Sequence, residues 1–106
     1  MHKFKEIDVA ELEGMVDAEA AAIRLIDVRN PGEVARGCLP RAENLPLHTL
    51  PLQADSISPE DTLVFYCQTG ARSAQACAFM ASRGFARVYN LRGGIVAWMQ
   101  SGRPVG

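Results

Sequence analysis

The chain has 106 residues, 48% hydrophobic and 22% charged, enough for one compact domain with its own apolar core and no need of disulfide or metal staples. Eleven basic and twelve acidic residues leave a formal net charge of -1 and no basic tract, which excludes an electrostatic footprint for nucleic acid or an anionic membrane and points to small molecules or proteins as partners. No stretch has the length of a membrane-spanning helix or the apolar run of a secretory leader, and three cysteines, Cys38, Cys67 and Cys77, without Cys-x-x-Cys spacing fit reduced thiols in the cytoplasm better than a disulfide framework.

Phe4 to Ile7 reads as a first strand, and Asp8 followed by Glu11 forms a capping-box entry to a helix with Val9, Leu12, Met15 and Val16 on one face. Ala22 to Val28 reads as a second strand. Asn30-Pro31-Gly32-Glu33 then supplies a cap, a first-turn proline and a short helix ended by Gly37. Prolines at 40 and 46 flank a brief extended piece around Ala42 to Leu45, and Pro51 to Pro59 reads as a turn-rich connection with room for one helical turn. The apolar run Leu63 to Cys67 predicts a fully buried parallel strand over Thr62 to Tyr66. A helix from Ala71 to Ser82 follows, with Ala74, Cys77, Ala78 and Ala81, then Phe85, on one stripe and Arg72, Gln75 and Arg83 opposite, Phe79 being an apolar exception there. Arg87 to Leu91 is a last strand, Gly93-Gly94 a tight turn, and Ile95 to Gln100 a closing helix stopped by Gly102 and Pro104. This alternation predicts an α/β sandwich, a central parallel sheet with helices on both faces.

The chemistry concentrates where the strand ending at Tyr66 gives way to the helix from Ala71. Open α/β sheets place ligand sites at the carboxyl ends of their strands, and Cys67 stands there, facing helix amides. Unpaired N–H groups and the positive end of a helix favour thiolate over thiol, so this cysteine is expected to be reactive. Gly70 can adopt backbone angles closed to other residues and lets the amides of Gln68, Thr69, Gly70, Ala71, Arg72 and Ser73 curl inward as an anion-binding nest. A cation in the first helical turn opposes the helix dipole, so Arg72 calls for an anionic ligand; a solvated surface arginine is the plain alternative. For Cys67 the plain alternative is a buried core thiol.

Asp27 and Arg29, at the end of the second strand, are candidates to support the loop from the same sheet edge, with a structural ion pair of Arg29 and Glu33 as the competing reading. His2 is terminal and His48 lies in the proline-flanked connection, which makes neither a natural base for Cys67. Cysteine and histidine spacing gives no metal site, and without Gly-x-Gly-x-x-Gly or a Walker lysine the Gly93-Gly94 pair reads as a plain turn. No cofactor is called for.

Taken together, Cys67-Gln68-Thr69-Gly70-Ala71-Arg72-Ser73, Leu25-Ile26-Asp27-Val28-Arg29, Pro31-Gly32-Glu33, Leu91-Arg92-Gly93-Gly94 and Trp98 resemble the single-domain rhodaneses, a sulfurtransferase family, over nearly the whole chain. The resemblance implies a five-stranded parallel sheet flanked by helices, Cys67 as the residue that becomes a persulfide, and Gln68 to Ser73 as the active-site loop. It implies transfer of a sulfane sulfur from thiosulfate or another donor to cyanide or a thiol acceptor, which could be a small redox protein. Where many relatives read Gly-His-Ile-Pro-Gly-Ala, this chain has Gly37-Cys38-Leu39-Pro40-Arg41-Ala42, leaving Cys38 as either a resolving thiol or a small apolar substitute.

Other readings stay open on sequence. A cysteine phosphatase or arsenate reductase shares the thiolate, amide and arginine logic, but its cradle places five residues before the arginine, whereas four separate Cys67 from Arg72, a ring sized for one sulfur atom. A non-catalytic binding module on the same scaffold has no need of Cys67, Gly70 and Arg72 together. A persulfide relay between proteins would use the same residues with a different donor.

Overall fold

A computed structural model describes residues 3–19 and 22–106; His2 lies outside them. Five strands, β1 (Lys5–Ile7), β2 (Ile23–Asp27), β3 (Glu43–Asn44), β4 (Thr62–Tyr66) and β5 (Val88–Leu91), form one sheet in the order β1-β5-β4-β2-β3, and every neighbouring pair runs parallel. The helices are α1 (Val9–Glu19), α2 (Pro31–Val34), α3 (Leu50–Gln53), α4 (Ala71–Ser82) and α5 (Gly94–Gln100). This is the α/β sandwich with a five-stranded parallel sheet expected from the sequence.

Period-two alternation along β4 divides the core. Leu63, Phe65 and Cys67 face one layer with Ala76, Cys77 and Met80 of α4 and Leu50 of α3, while Val64 and Tyr66 face the other with Leu12 of α1 and Ile95 and Trp98 of α5. Because β4 is flanked by β2 and β5 and covered on both faces, all its residues after Thr62 are buried, which is why it reads as a continuous apolar run. The register sets Asp27 opposite Tyr66 and Asn90 opposite both Phe65 and Glu6, so the ends of four strands converge beside residue 67.

Two expectations shift. The buried stripe of α4 is Ser73, Ala76, Cys77 and Met80, not the alanine row through Ala74, Ala78 and Ala81, and Ala78 is exposed. The larger side chain of Met80 outweighs a row of methyl groups in deciding which face turns inward. The connection after Pro46 is more helical than expected, a 3-10 turn (Leu47–Thr49) running into α3 and a second 3-10 turn (Ala54–Ser56), because Leu50, Ala54 and Ile57 must reach the core beneath it.

Arg41 has φ +71°, the positive-φ residue other than glycine among the described residues. A side chain there costs roughly 1 kcal/mol of backbone strain. Glycine's greater freedom in the unfolded chain offsets part of that strain, so Arg41→Gly is expected to raise the urea unfolding midpoint by a net gain of up to about 0.5 kcal/mol; a lower midpoint would show that the Arg41 side chain contributes more than its backbone strain costs.

Candidate active site

β4 delivers Cys67 to the carboxyl edge of the sheet, and Gly70, at φ +110°, turns the chain from the loop into α4. The Gly70 N–H donates to Cys67 Sγ at 3.1 Å and the Ser73 hydroxyl to the same sulfur at 3.5 Å. Burial pulls the Cys67 thiol upward; hydrogen bonds from the Ser73 hydroxyl and from the amides of Ser73, Gly70 and Thr69 outweigh it, and the thiol ends below its ordinary value. Cys77 is the contrast. Equally buried, its Sγ donates to the Tyr89 carbonyl at 3.4 Å, and burial with no opposing donors pushes its thiol well up, so it is a packing residue.

The direction of the loop amides is set from outside the loop. Ile95 N–H donates to the Cys67 carbonyl at 3.0 Å and Val96 N–H to the Gln68 carbonyl at 3.2 Å, both from the first turn of α5. In a trans peptide N–H and C=O point oppositely, so drawing these two carbonyls toward α5 turns the amides of Gln68 and Thr69 the other way, Thr69's toward the sulfur. Gly94, at φ +58°, makes the approach possible: a Cβ there would lie 2.6 Å from the Gln68 carbonyl oxygen and closer still to that of Cys67. The glycine pair that reads as a plain turn is thus the contact on which α5 meets the loop.

The Gly70 carbonyl accepts from Ala74 N–H at 3.1 Å and Asn90 Nδ2 at 3.2 Å and lies 3.2 Å from the Ser73 hydroxyl, whose single proton it shares with the Cys67 sulfur; Asn90 Nδ2 also reaches Glu6 Oε2 at 2.8 Å. Asn90 is buried in β5, and an amide in a buried strand is the sequence signal that could have marked it as part of this network.

Cys67 is 1% exposed, while Gln68 and Thr69 at the loop tip are exposed. The sulfur is thus buried beneath its own loop, as the plain alternative of a buried thiol has it, yet ringed by the donors that alternative lacks.

Arg72 has an anionic partner within the protein. Its guanidinium makes a bidentate pair with Glu33, Nη1 to Oε1 at 2.7 Å and Nη2 to Oε2 at 2.9 Å, joining α4 to α2 across the mouth of the site. Arg72 pulls the Glu33 carboxyl down to about 2, so Glu33 stays ionised at neutral pH. Arg29 accordingly does not reach Glu33. Buried beneath the loop, it pairs with Asp27, Nη2 to Oδ2 at 2.7 Å and Nε to Oδ1 at 3.0 Å, donates to the Gly37 carbonyl at 2.7 Å, and lies over the Tyr66 ring at 5.8 Å. Tyr66 accepts from Leu39 N–H at 3.0 Å, linking this pair to the 37–42 segment.

Cys38 is tied to the tail, exchanging backbone hydrogen bonds with Gly106 at 3.2 and 2.8 Å, its Sγ 3.9 Å from the Gly106 carbonyl. His48 is exposed in a 3-10 turn. Among the described residues no cluster of His, Cys, Asp and Glu is arranged to hold a metal ion, and no helix is long and apolar enough to cross a membrane.

The model of the rhodanese-like domain matches residues 8–101. The chain belongs to the rhodanese-like domain family. A protein of Allochromatium vinosum named sulfurtransferase is 43% identical over 100 residues, covering 94% of this chain and 92% of its own. A Stutzerimonas stutzeri protein named thiosulfate sulfurtransferase GlpE is 31% identical over 98 residues, 92% of this chain and 87% of its own. The crystal structure of a rhodanese-related protein from Thermoplasma volcanium superposes with a TM-score of 0.86 at 27% identity, over 97% of this chain and 98% of that one. The loop from Cys67 to Ser73 falls inside the matched rhodanese segment.

Two outcomes check this geometry. Gly94→Ala should displace the Cys67–Gln68 backbone and raise the apparent thiol pKa read from the pH dependence of iodoacetamide alkylation; an unshifted profile would show that α5 does not set the loop. Asp27→Asn leaves Arg29 buried without its counter-charge and should cost about 3 kcal/mol in urea unfolding.

Proposed function

We propose that this rhodanese domain, working as a single unit over residues 1–106 in the cytoplasm, transfers a sulfane sulfur from thiosulfate or a related donor to cyanide or a thiol through a persulfide on Cys67. Family membership and relatives named as sulfurtransferases support sulfurtransferase activity. The observation that carries the finer reading is the sulfur itself: a buried thiol that amides and a hydroxyl nevertheless hold below its ordinary value.

The Cys67 thiolate attacks the outer sulfur of thiosulfate, the sulfur–sulfur bond of the donor breaks, and its electron pair leaves with sulfite. Cys67 then carries a persulfide monoanion, so total charge is conserved. The carbon of cyanide or an acceptor thiolate attacks the terminal sulfur, and the electron pair of the broken bond returns to Cys67. No general base is needed, because every species that attacks or leaves is already an anion.

The roles follow from position. Amides of Thr69, Gly70 and Ser73, with the Ser73 hydroxyl, stabilise thiolate and persulfide alike. Gln68, Thr69 and Ala71 are exposed and form the entry. Arg72 contributes positive charge at the rim, and its guanidinium has N–H groups that Glu33 does not use. Asp27 and Arg29 brace the sheet edge below without meeting substrate.

Intact-mass measurement after thiosulfate treatment should show a gain of one sulfur atom, mapped to the peptide containing Cys67 and discharged by cyanide. Cys67→Ser should gain nothing and turn over nothing. Sulfur appearing on Cys38 or Cys77 instead would falsify the assignment, and labelling by an alkyl persulfide but not by thiosulfate would replace thiosulfate with a persulfide donor.

A further inference from the structure

Arg72, in the first turn of the helix that follows the Cys67 loop, pairs with Glu33 of α2, and each takes both terminal atoms of the other. Glu33 also accepts from Asn30 N–H at 3.1 Å, closing a capping box on α2, so its carboxylate is held in place from both sides. The same carboxylate lines a groove of about 280 Å³ with Arg29, Arg36, Gln68, Ile95 and Met99, which opens next to the loop tip. Any donor that comes to the sulfur past Gln68 therefore meets a fixed negative charge beside the cation that would attract it.

We infer that Glu33 is a specificity-determining residue that sets donor preference by charge: it holds Arg72 and disfavours dianionic donors relative to monoanionic ones. Thiosulfate carries two negative charges and methanethiosulfonate one, yet both present the same outer sulfur and release an oxidised sulfur anion, sulfite or methanesulfinate. Repulsion from one carboxylate scales with donor charge, so thiosulfate loses more than methanethiosulfonate. The inference rests on the sulfurtransferase reading and adds to it a residue in a part of the chain remote from the loop in sequence.

The test is the ratio of kcat/KM for thiosulfate to kcat/KM for methanethiosulfonate, with cyanide as acceptor, in the unaltered protein and in Glu33→Gln. Glutamine can still close the capping box, and a thermal melt establishes that the variant is folded. The ratio should rise about three- to fivefold, the size expected from removing one partly exposed charge, with the change in KM rather than kcat, and the difference should narrow as ionic strength increases. An unchanged or lower ratio in a folded, active variant overturns this inference alone. Absence of transfer from both donors in the unaltered protein overturns the sulfurtransferase reading and this inference with it.

Discussion

The direction of two peptide planes governs the site. Cys67 and Gln68 offer their carbonyls to the first turn of α5, and because a peptide is flat and trans, the N–H groups across those bonds have no choice of direction. The sulfur then gains its donors from a loop whose orientation was decided by a helix about thirty residues further along the chain. Gly94 sets the distance at which this happens, and Gly70 sets the turn that brings the third amide into line. Burial, which by itself would keep Cys67 protonated, instead shields these donors from water and makes each of them count for more.

Charge is layered around that centre. Beneath the loop, Asp27 and Arg29 neutralise each other out of solvent and tie the end of β2 to Gly37. Above it, Glu33 and Arg72 do the same at the surface, where the pairing is cheaper to make and easier to compete with. The two pairs have opposite consequences. The lower one is a structural commitment, costly to break by halves. The upper one, about one-third exposed on both sides, is open to screening by salt.

Much of this was legible in the chain because its strongest signals are local. Leu63 to Cys67 could be little else than a central strand, and Cys67 followed by Gly70 at the head of a helix marks where a thiol meets helix amides. What stayed hidden depends on pairings between distant segments. Nothing in Pro31-Gly32-Glu33 says that its carboxylate meets Arg72, thirty-nine residues away, rather than Arg29 nearby. Gly93-Gly94 announces a turn but not what the turn must avoid, and the alanines of α4 disguise which of its two large apolar side chains, Phe79 or Met80, turns fully inward. Periodicity gives a helix its angle; only packing chooses among faces of nearly equal hydrophobicity.

The position of β4 at the middle of the sheet has a dynamic corollary. A strand hydrogen-bonded on both edges and covered on both faces opens only with the whole protein, whereas the exposed side chains of Gln68 and Thr69 can change rotamer while the backbone of Cys67 and Gln68 stays bonded to α5. The Cys67 sulfur sits on the boundary between these regimes, one residue beyond the end of β4 and beside two solvated side chains. Its surroundings can therefore rearrange in nanoseconds while its own position keeps the accuracy of the core.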